Sequence, residues 1–353
     1  MTKGHRPRRG SMAFYPRKRA RSIVARVRSW PRIDETRLVG FAGYKVGMLH
    51  VLRVETNPNS PFYGQEIMKP ATVIESPPLM VLGARFYRRS PYGLRCLTEV
   101  WDRDIILAKE EGKDDYLTKF SRDLERVFTV PKPDGLPSDE EVERRVELAR
   151  EGADEARLIL ATQPRKAGIH KKKPEVFEVP VGGSIEEAIS YALERMGKEI
   201  SVGEVFEEGQ YVDVISVTKG KGYQGVVKRF GVKILPRWHK HRKGHRRIGS
   251  VGPTKPAIMF TTPMAGQLGF HQRTEYNKLV LKIGSAGDES FPVNPPGGWP
   301  HYGVVRSEYV LLEGTVPGPP KRLVKMRLPV RPKEPDRVKI QITYASLMPV
   351  GGE

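Results

Sequence analysis

Gly220-Lys221-Gly222-Tyr223-Gln224-Gly225 matches Gly-x-Gly-x-x-Gly and follows a strand-like run. That spacing cradles a pyrophosphate when a helix follows and an acid lies about 20 residues on. Here Gly231 and Pro236 stop any helix early, and no acid occurs before Glu275. A Gly-Lys-Ser/Thr P-loop is absent, as are the kinase strings His-Arg-Asp and Asp-Phe-Gly. The glycines are read instead as a tight turn. It would let backbone N–H groups and Lys219, Lys221, Lys228 and Arg229 come close to phosphates.

His239, His241 and His245 have a spacing that could hold a metal, but Lys240, Arg242, Lys243 and Arg246 surround them. No Cys or carboxylate completes a shell, so no metal is expected. In this setting imidazoles stack on bases or donate to phosphates, and Trp238 is either a core residue or a base-stacking platform, its place between Arg237 and His239 favouring stacking. Cys96, scattered serines, His50, His170, His271 and His301 form no nucleophile–base pattern, and no Gly-x-Ser-x-Gly elbow occurs. Asp114-Asp115 and Asp139-Glu140-Glu141 read as solvated helix starts rather than catalytic dyads. The expectation is therefore a protein with no catalytic residue, no cofactor and no small-molecule substrate.

What the sequence does concentrate is charge. The 353 residues carry 61 Lys+Arg against 41 Asp+Glu, a formal net of +20. Residues 1–33 hold eleven cations and no acid: Lys3, Arg6, Arg8, Arg9, Arg17, Lys18, Arg19, Arg21, Arg26, Arg28 and Arg32. Residues 214–274 hold thirteen and again no acid: Lys219, Lys221, Lys228, Arg229, Lys233, Arg237, Lys240, Arg242, Lys243, Arg246, Arg247, Lys255 and Arg273. The other 259 residues hold 37 cations and all 41 acids, a net of −4. The sequence thus reads as a nearly neutral body with two basic arms whose countercharge comes from a polyanion. The arms are expected to order on binding. Tyr223, Phe230, Trp238, Ile248, Phe260, Met264 and Phe270 make the second arm too apolar for a plain linker. As a hairpin of about 30 residues a side, it would reach at most about 100 Å, and about half that once glycine and proline bend it.

The elements that must carry these arms are mostly β. Gly (35) and Pro (30) favour turns, and 38% hydrophobic residues suffice for a core. One cysteine excludes a disulfide framework. Apolar runs such as Leu79–Ala84 fall far short of the roughly 18 residues a membrane span needs. Pro7, Pro16 and Pro31 interrupt the start, which has no apolar signal region, so a soluble protein of a reducing compartment is expected. Leu38–Val54 is strand material broken by glycines, as in the bends of a small barrel. Further strands are expected at Ala71–Ile74, Met80–Tyr87, Arg95–Val100, Tyr211–Thr218, Lys278–Ile283, Gly303–Leu312 and Arg337–Tyr344. Capping boxes at Ser138-x-x-Glu141 and Ser184-x-x-Glu187 open two helices, the second stopped by Gly197.

The resulting fold class is mainly β with an α insert: a β-barrel with a helical α/β insertion and long irregular basic extensions. The expected boundaries are a basic N-terminal arm at 1–35, barrel parts at 36–101, 201–218 and 275–353, an α-rich insertion at 102–200 and a basic internal extension at 219–274.

Phe206–Arg229 makes the reading specific. Phe206, Asp213, Ser216, Thr218, Gly220-Lys221-Gly222, Gly225 and Arg229 fill every position of a signature, which resembles that of the large-subunit ribosomal protein L-three family. Lys228–Gly231, Met264–Gly269, His271–Thr274, Pro300–Gly303 and His5–Ser11 are also similar to this family, especially to archaeal and eukaryotic-type members. The resemblance implies a translation-protein-type barrel whose extensions thread into large-subunit rRNA. It further implies a cytoplasmic, ribosomal protein that binds near the rRNA 3′ end, assists early assembly, extends toward the peptidyl transferase region and neighbours other ribosomal proteins. Gln267, His271 and Arg273 join the arm cations, Trp238 and the three histidines as implied rRNA contacts. One position departs from the family: Thr254, in Gly252-Pro253-Thr254-Lys255-Pro256, stands where many members have a tip Trp. An RNA-modifying enzyme, another RNA-binding protein and a DNA-binding architectural protein are the competing readings.

Overall fold

The computed structural model describes residues 7–107, 116–129, 136–288, 291–333 and 337–347. Lys3, Arg6 and the Asp114-Asp115 pair lie outside the described residues. Two compact units are present. The larger is Val24–Ser216 with Thr274–Glu353; the smaller is Met1–Ile23, described from Pro7, with Val217–Arg273.

In chain order the strands are β1 (Gly40–Val54), β2 (Glu66–Glu75), β3 (Leu79–Ser90), β4 (Gly93–Trp101), β5 (Glu155–Ala161), β6 (Val176–Pro180) and β7 (Glu199–Ile200). There follow β8 (Tyr211–Val217), β9 (Tyr223–Gln224), β10 (Gly266–Gln267), β11 (Gln272–Ser285), β12 (Glu308–Glu313), β13 (Leu323–Arg327) and β14 (Ile342–Ala345). The helices are α1 (Arg103–Leu107), α2 (Tyr116–Leu124), α3 (Asp139–Gly152), α4 (Ile185–Arg195) and α5 (Val226–Phe230).

The fold is mainly β. One seven-stranded sheet runs β13-β8-β11-β12-β2-β1-β14, and β1 also pairs with β13. Six strands therefore pair in a circuit, with Gly40–Tyr44 opposite Leu323–Arg327. The glycines of β1 do what the strand pattern suggested. Register shifts between Lys45 and Gly47, and a Cβ on Gly47 would overlap the Trp299 ring. A second sheet, β4-β3-β5-β6 with β7 on β3, was not foreseen. Both serines cap their helices as expected: Glu141 N–H donates to Ser138 Oγ at 3.3 Å and Glu187 N–H to Ser184 Oγ at 3.4 Å. The same stretch also supplies β5, β6 and β7. In β5, Leu158–Ala161 is buried without a break, so the strand has no polar–apolar alternation to announce it.

Two buried carboxylates tie the larger unit together. Asp213 on β8 is fully buried and pairs with Arg327 on β13, whose Nη2 lies 3.0 Å away and whose Nε lies 3.3 Å away. It also accepts from the backbone N–H groups of Asn277 (3.0 Å) and Val330 (3.2 Å). Arg327 donates onward to Ser29. Glu75, at the end of β2, accepts from the N–H groups of Gly168 (2.9 Å), Arg306 (2.7 Å) and Ser307 (3.1 Å), and from the Tyr302 and Ser307 hydroxyls. Burial, with Glu75 beside it, pushes the Tyr302 hydroxyl far above its ordinary range, so it serves as a fixed donor.

Removing one member of a buried ion pair strands the other charge, at a cost of about 3–5 kcal/mol. Asp213→Ala should lower stability by about that amount, read from chemical denaturation. The double replacement Asp213→Leu with Arg327→Met should cost less. If D213A unfolds at the same denaturant concentration as the natural chain, the pair does not hold the sheet.

Candidate nucleic-acid interface

The smaller unit is built on the glycine motif. Gly222 takes a left-handed conformation (φ 66°), and the Lys221 N–H donates to the Leu268 carbonyl at 2.9 Å. Leu268 N–H returns to the Gly222 carbonyl at 2.9 Å, and β9 pairs with β10 beyond it. The expectation that this turn offers its N–H groups to phosphates is corrected at Lys221, whose N–H closes a hairpin. Its ammonium remains exposed. Gly225 caps α5, and Gly231, also left-handed (φ 67°), ends it after five residues, as the early helix stop required.

Around α5 lies a small apolar cluster of Val226, Phe230 and Val232. Met12 and Tyr15 from the N-terminal segment pack against it, as do Ile248 and Ala265. Ser11 N–H donates to the Phe230 carbonyl at 2.7 Å, and a Cβ on Gly10 would press on that same oxygen. The two basic segments, read from the sequence as separate arms, fold on each other. Contacts between residues more than 200 positions apart leave no periodic trace in a sequence.

This unit contains 21 Lys and Arg and no Asp or Glu. Five of its described arginines are held by carbonyls and rings instead. Arg8 donates to Thr261 O (2.5 Å), and Arg9 to Ile248 O (2.6 Å) and Ser250 O (2.5 Å). Arg229 donates to Gln267 O (2.9 Å) and Met264 O (2.7 Å). Arg17 lies 4.4 Å from the Phe230 ring centroid, and Arg273 lies 4.7 Å from that of Phe14. These residues were expected to contact rRNA; each first has a job inside the protein. Gln267 is similar, with Nε2 donating to Leu268 O and Gly269 O.

His271 is corrected most clearly. It is only 4% exposed. Its Nδ1 donates to the Lys18 carbonyl at 2.7 Å, and its backbone exchanges hydrogen bonds with Thr218. Burial holds its pKa below the ordinary 6.5, and Arg273, Arg17 and Arg229 push the same way against the Lys18 carbonyl. It is a neutral interior imidazole rather than a surface group for RNA.

The exposed candidates form the outward chemistry. In the smaller unit they are Arg8, Lys18, Arg19, Arg21, Lys219, Lys221, Lys228, Lys233, Arg237, Trp238, His239, Lys240, Arg242, Lys243, Arg246, Arg247 and Lys255. Arg26 and Arg28, exposed too, belong to the larger unit. Trp238 is 78% exposed, which settles its choice between core and surface, and Tyr223 and Phe260 are also open. His241 and His245 are half-buried beside the Leu235 N–H to His245 O bond. Among the described residues, no group of three His, Cys, Asp or Glu is placed to hold a metal ion. No described helix is long and apolar enough to cross a membrane.

A cation-rich, carboxylate-free surface with open aromatic rings has the chemistry of a polyanion-binding protein. The family model described as ribosomal protein L3 matches residues 1–347. Curated relatives named large ribosomal subunit protein uL3 align along nearly the whole length. The one from Pyrobaculum aerophilum is 51% identical over 350 residues, covering 97% of each chain. The one from Archaeoglobus fulgidus is 48% identical over 346 residues, covering 98% of each. A third, from Methanopyrus kandleri, is 49% identical over 330 residues, covering 93% of this chain and 86% of its own. The chain belongs to the ribosomal protein L3 family.

The depressed pKa of His271 carries a sign. Below about pH 6.5 the unfolded chain takes up a proton that the folded unit refuses. The smaller unit should therefore lose stability as pH falls through that value, measured by hydrogen exchange of the Ser11 and Leu268 amides. His271→Gln should flatten that dependence. An unchanged pH profile in the variant would assign the loss to other groups.

Proposed function

We propose that this chain is a structural constituent of the large ribosomal subunit, in the cytoplasm, that binds large-subunit rRNA and catalyses no reaction. It binds near the rRNA 3′ end, promotes early subunit assembly and extends residues 219–274 toward the peptidyl transferase region beside neighbouring ribosomal proteins. One observation carries this reading: a folded unit with 21 cations and no carboxylate, in which Arg8, Arg9, Arg17, Arg229 and Arg273 are held by neutral groups. Its countercharge must come from outside the unit, and RNA phosphate supplies it. The family membership and the relatives' names support the ribosome as the setting.

Binding of this kind works by charge and shape. About ten phosphate contacts give a fall of log K with log salt of roughly −7 to −9. Exposed Trp238 adds base stacking, which tolerates sequence. Thr254, exposed and polar, cannot stack at its position. The RNA-modifying alternative needs a pocket with perturbed acids or a cofactor, and residues 214–274 contain no carboxylate.

Arg237, Lys240, Arg242 and Lys243 are exposed and lie between Leu235 and His245, which are joined by a 2.9 Å backbone bond. Changing all four to Gln leaves the apolar cluster intact. The salt slope for large-subunit rRNA should then shrink by about three, at roughly 0.7–0.9 for each phosphate no longer neutralised. An equal slope in the variant and the natural chain would remove this loop from the interface.

A further inference from the structure

The larger unit contains an open cavity of about 640 Å³, within the roughly 300–1,000 Å³ typical of small-ligand sites. Arg53 lines it and is only 6% exposed. Its Nη2 lies 3.5 Å from Glu55 and 3.4 Å from Glu313, while its Nε and Nη1 are buried with no acceptor among the described residues. Asn277 lines the same cavity, and its Oδ1 is buried with no donor among the described residues, although its backbone N–H is fixed on Asp213. Unmet donors and an unmet acceptor on one wall are a standing desolvation cost, which a ligand offering both functions removes.

The remaining lining narrows the ligand. Lys278, Lys333, Arg337 and Lys339 join Arg53, against Glu55 and Glu313, so the cavity favours an anion. Tyr211 and Tyr276 add aromatic rings, and Tyr276 is 48% exposed. Lys333 and Arg331 sit 5.6 Å from the ring centroids of Tyr211 and Tyr276 respectively. A side-chain carboxylate would answer the cations but not Asn277 Oδ1, and inorganic phosphate, which can donate through a P–OH, would leave the two tyrosine rings unused. A nucleotide joins an anion, hydrogen-bond donors and a flat ring in one molecule of suitable size.

We propose that this cavity takes one unstacked RNA nucleotide. Its phosphate meets Arg53 and Lys339, its base or ribose donates to Asn277 Oδ1, and its base lies against Tyr276. The inference rests on the RNA-binding reading for its partner, but its residues lie outside the acid-free unit.

Photolabelling of the full-length protein with 8-azido-AMP, mapped by mass spectrometry, tests it. Saturable labelling is expected on peptides carrying Tyr211 or Tyr276, displaced by AMP at concentrations at least tenfold below those of inorganic phosphate. Tyr276→Leu should weaken AMP about five- to hundredfold, the span of base stacking. Lys339→Gln, at an exposed position, should weaken both AMP and phosphate. Labelling confined to 217–273, phosphate competing as well as AMP, or a Y276L variant that binds AMP unchanged would overturn the proposal. None of these failures alters the salt slope of the Arg237–Lys243 loop, so the two readings fail separately.

Discussion

Twenty-one positive charges in a unit without one carboxylate set the terms for the rest of the molecule. Coulomb repulsion alone would open such a unit, and excess net charge destabilises compact states. Its arginines are fixed by dipoles rather than charges: carbonyls of Thr261, Ile248, Ser250, Gln267 and Met264, and the rings of Phe230 and Phe14. A guanidinium has five N–H donors, so one or two carbonyls position it while its full charge and some donors remain. The result is a folded surface whose charge is undiminished. An anion that binds it also stabilises it by mass action.

The larger unit handles charge in the opposite way. Its buried and half-buried acids are paired with cations or donors inside the protein at several points. Arg85 pairs with Glu99 at 2.6 Å and also with Glu178, while Lys166 and Gln163 both meet Glu199. Asp213 and Glu75 go further, with every buried oxygen met by at least one donor and each carboxylate by several. A buried carboxylate is tolerated only when it is hydrogen-bonded this fully. Fixing Asp213 on β8 to Arg327 on β13 and to the Asn277 amide on β11 pins three neighbouring strands at one point.

Much of this was readable from residue order because its causes are local. Ser138 and Ser184 announced α3 and α4 through caps three residues long. The acid-free runs announced a carboxylate-free unit because charge is a sum and needs no geometry. The glycines of β1 announced a bulge, although not that Trp299 fills the space beside Gly47. What stayed hidden depends on distant contacts. Nothing near Arg9 or Tyr15 says that they meet residues 230–260, and nothing near His271 says that Lys18 covers it. Strand β5 leaves a weak trace because the unbroken burial of Leu158–Ala161 erases alternation over half its length, and Glu75 because its donors come from Gly168 and residues 302–307.

The signature that carried the family resemblance has a structural explanation within each unit. In the larger one, Phe206 is buried, Asp213 holds the ion pair, and Ser216 Oγ donates to Leu323 O at 3.1 Å. In the smaller one, Thr218 receives His271 N–H, Gly222 supplies the left-handed turn, and Gly225 begins α5. Arg229 then binds two carbonyls of the returning strand. Of these residues only Lys221 presents an exposed charged side chain. The motif is thus chiefly a folding instruction, and the residues that face outward are spaced by no fixed rule. This difference follows from physics: a left-handed turn or a buried pair tolerates few substitutes. A cation facing phosphate needs only charge and reach, so Lys240, Arg242, Lys243, Arg246 and Arg247 can sit in an irregular loop and still define the surface.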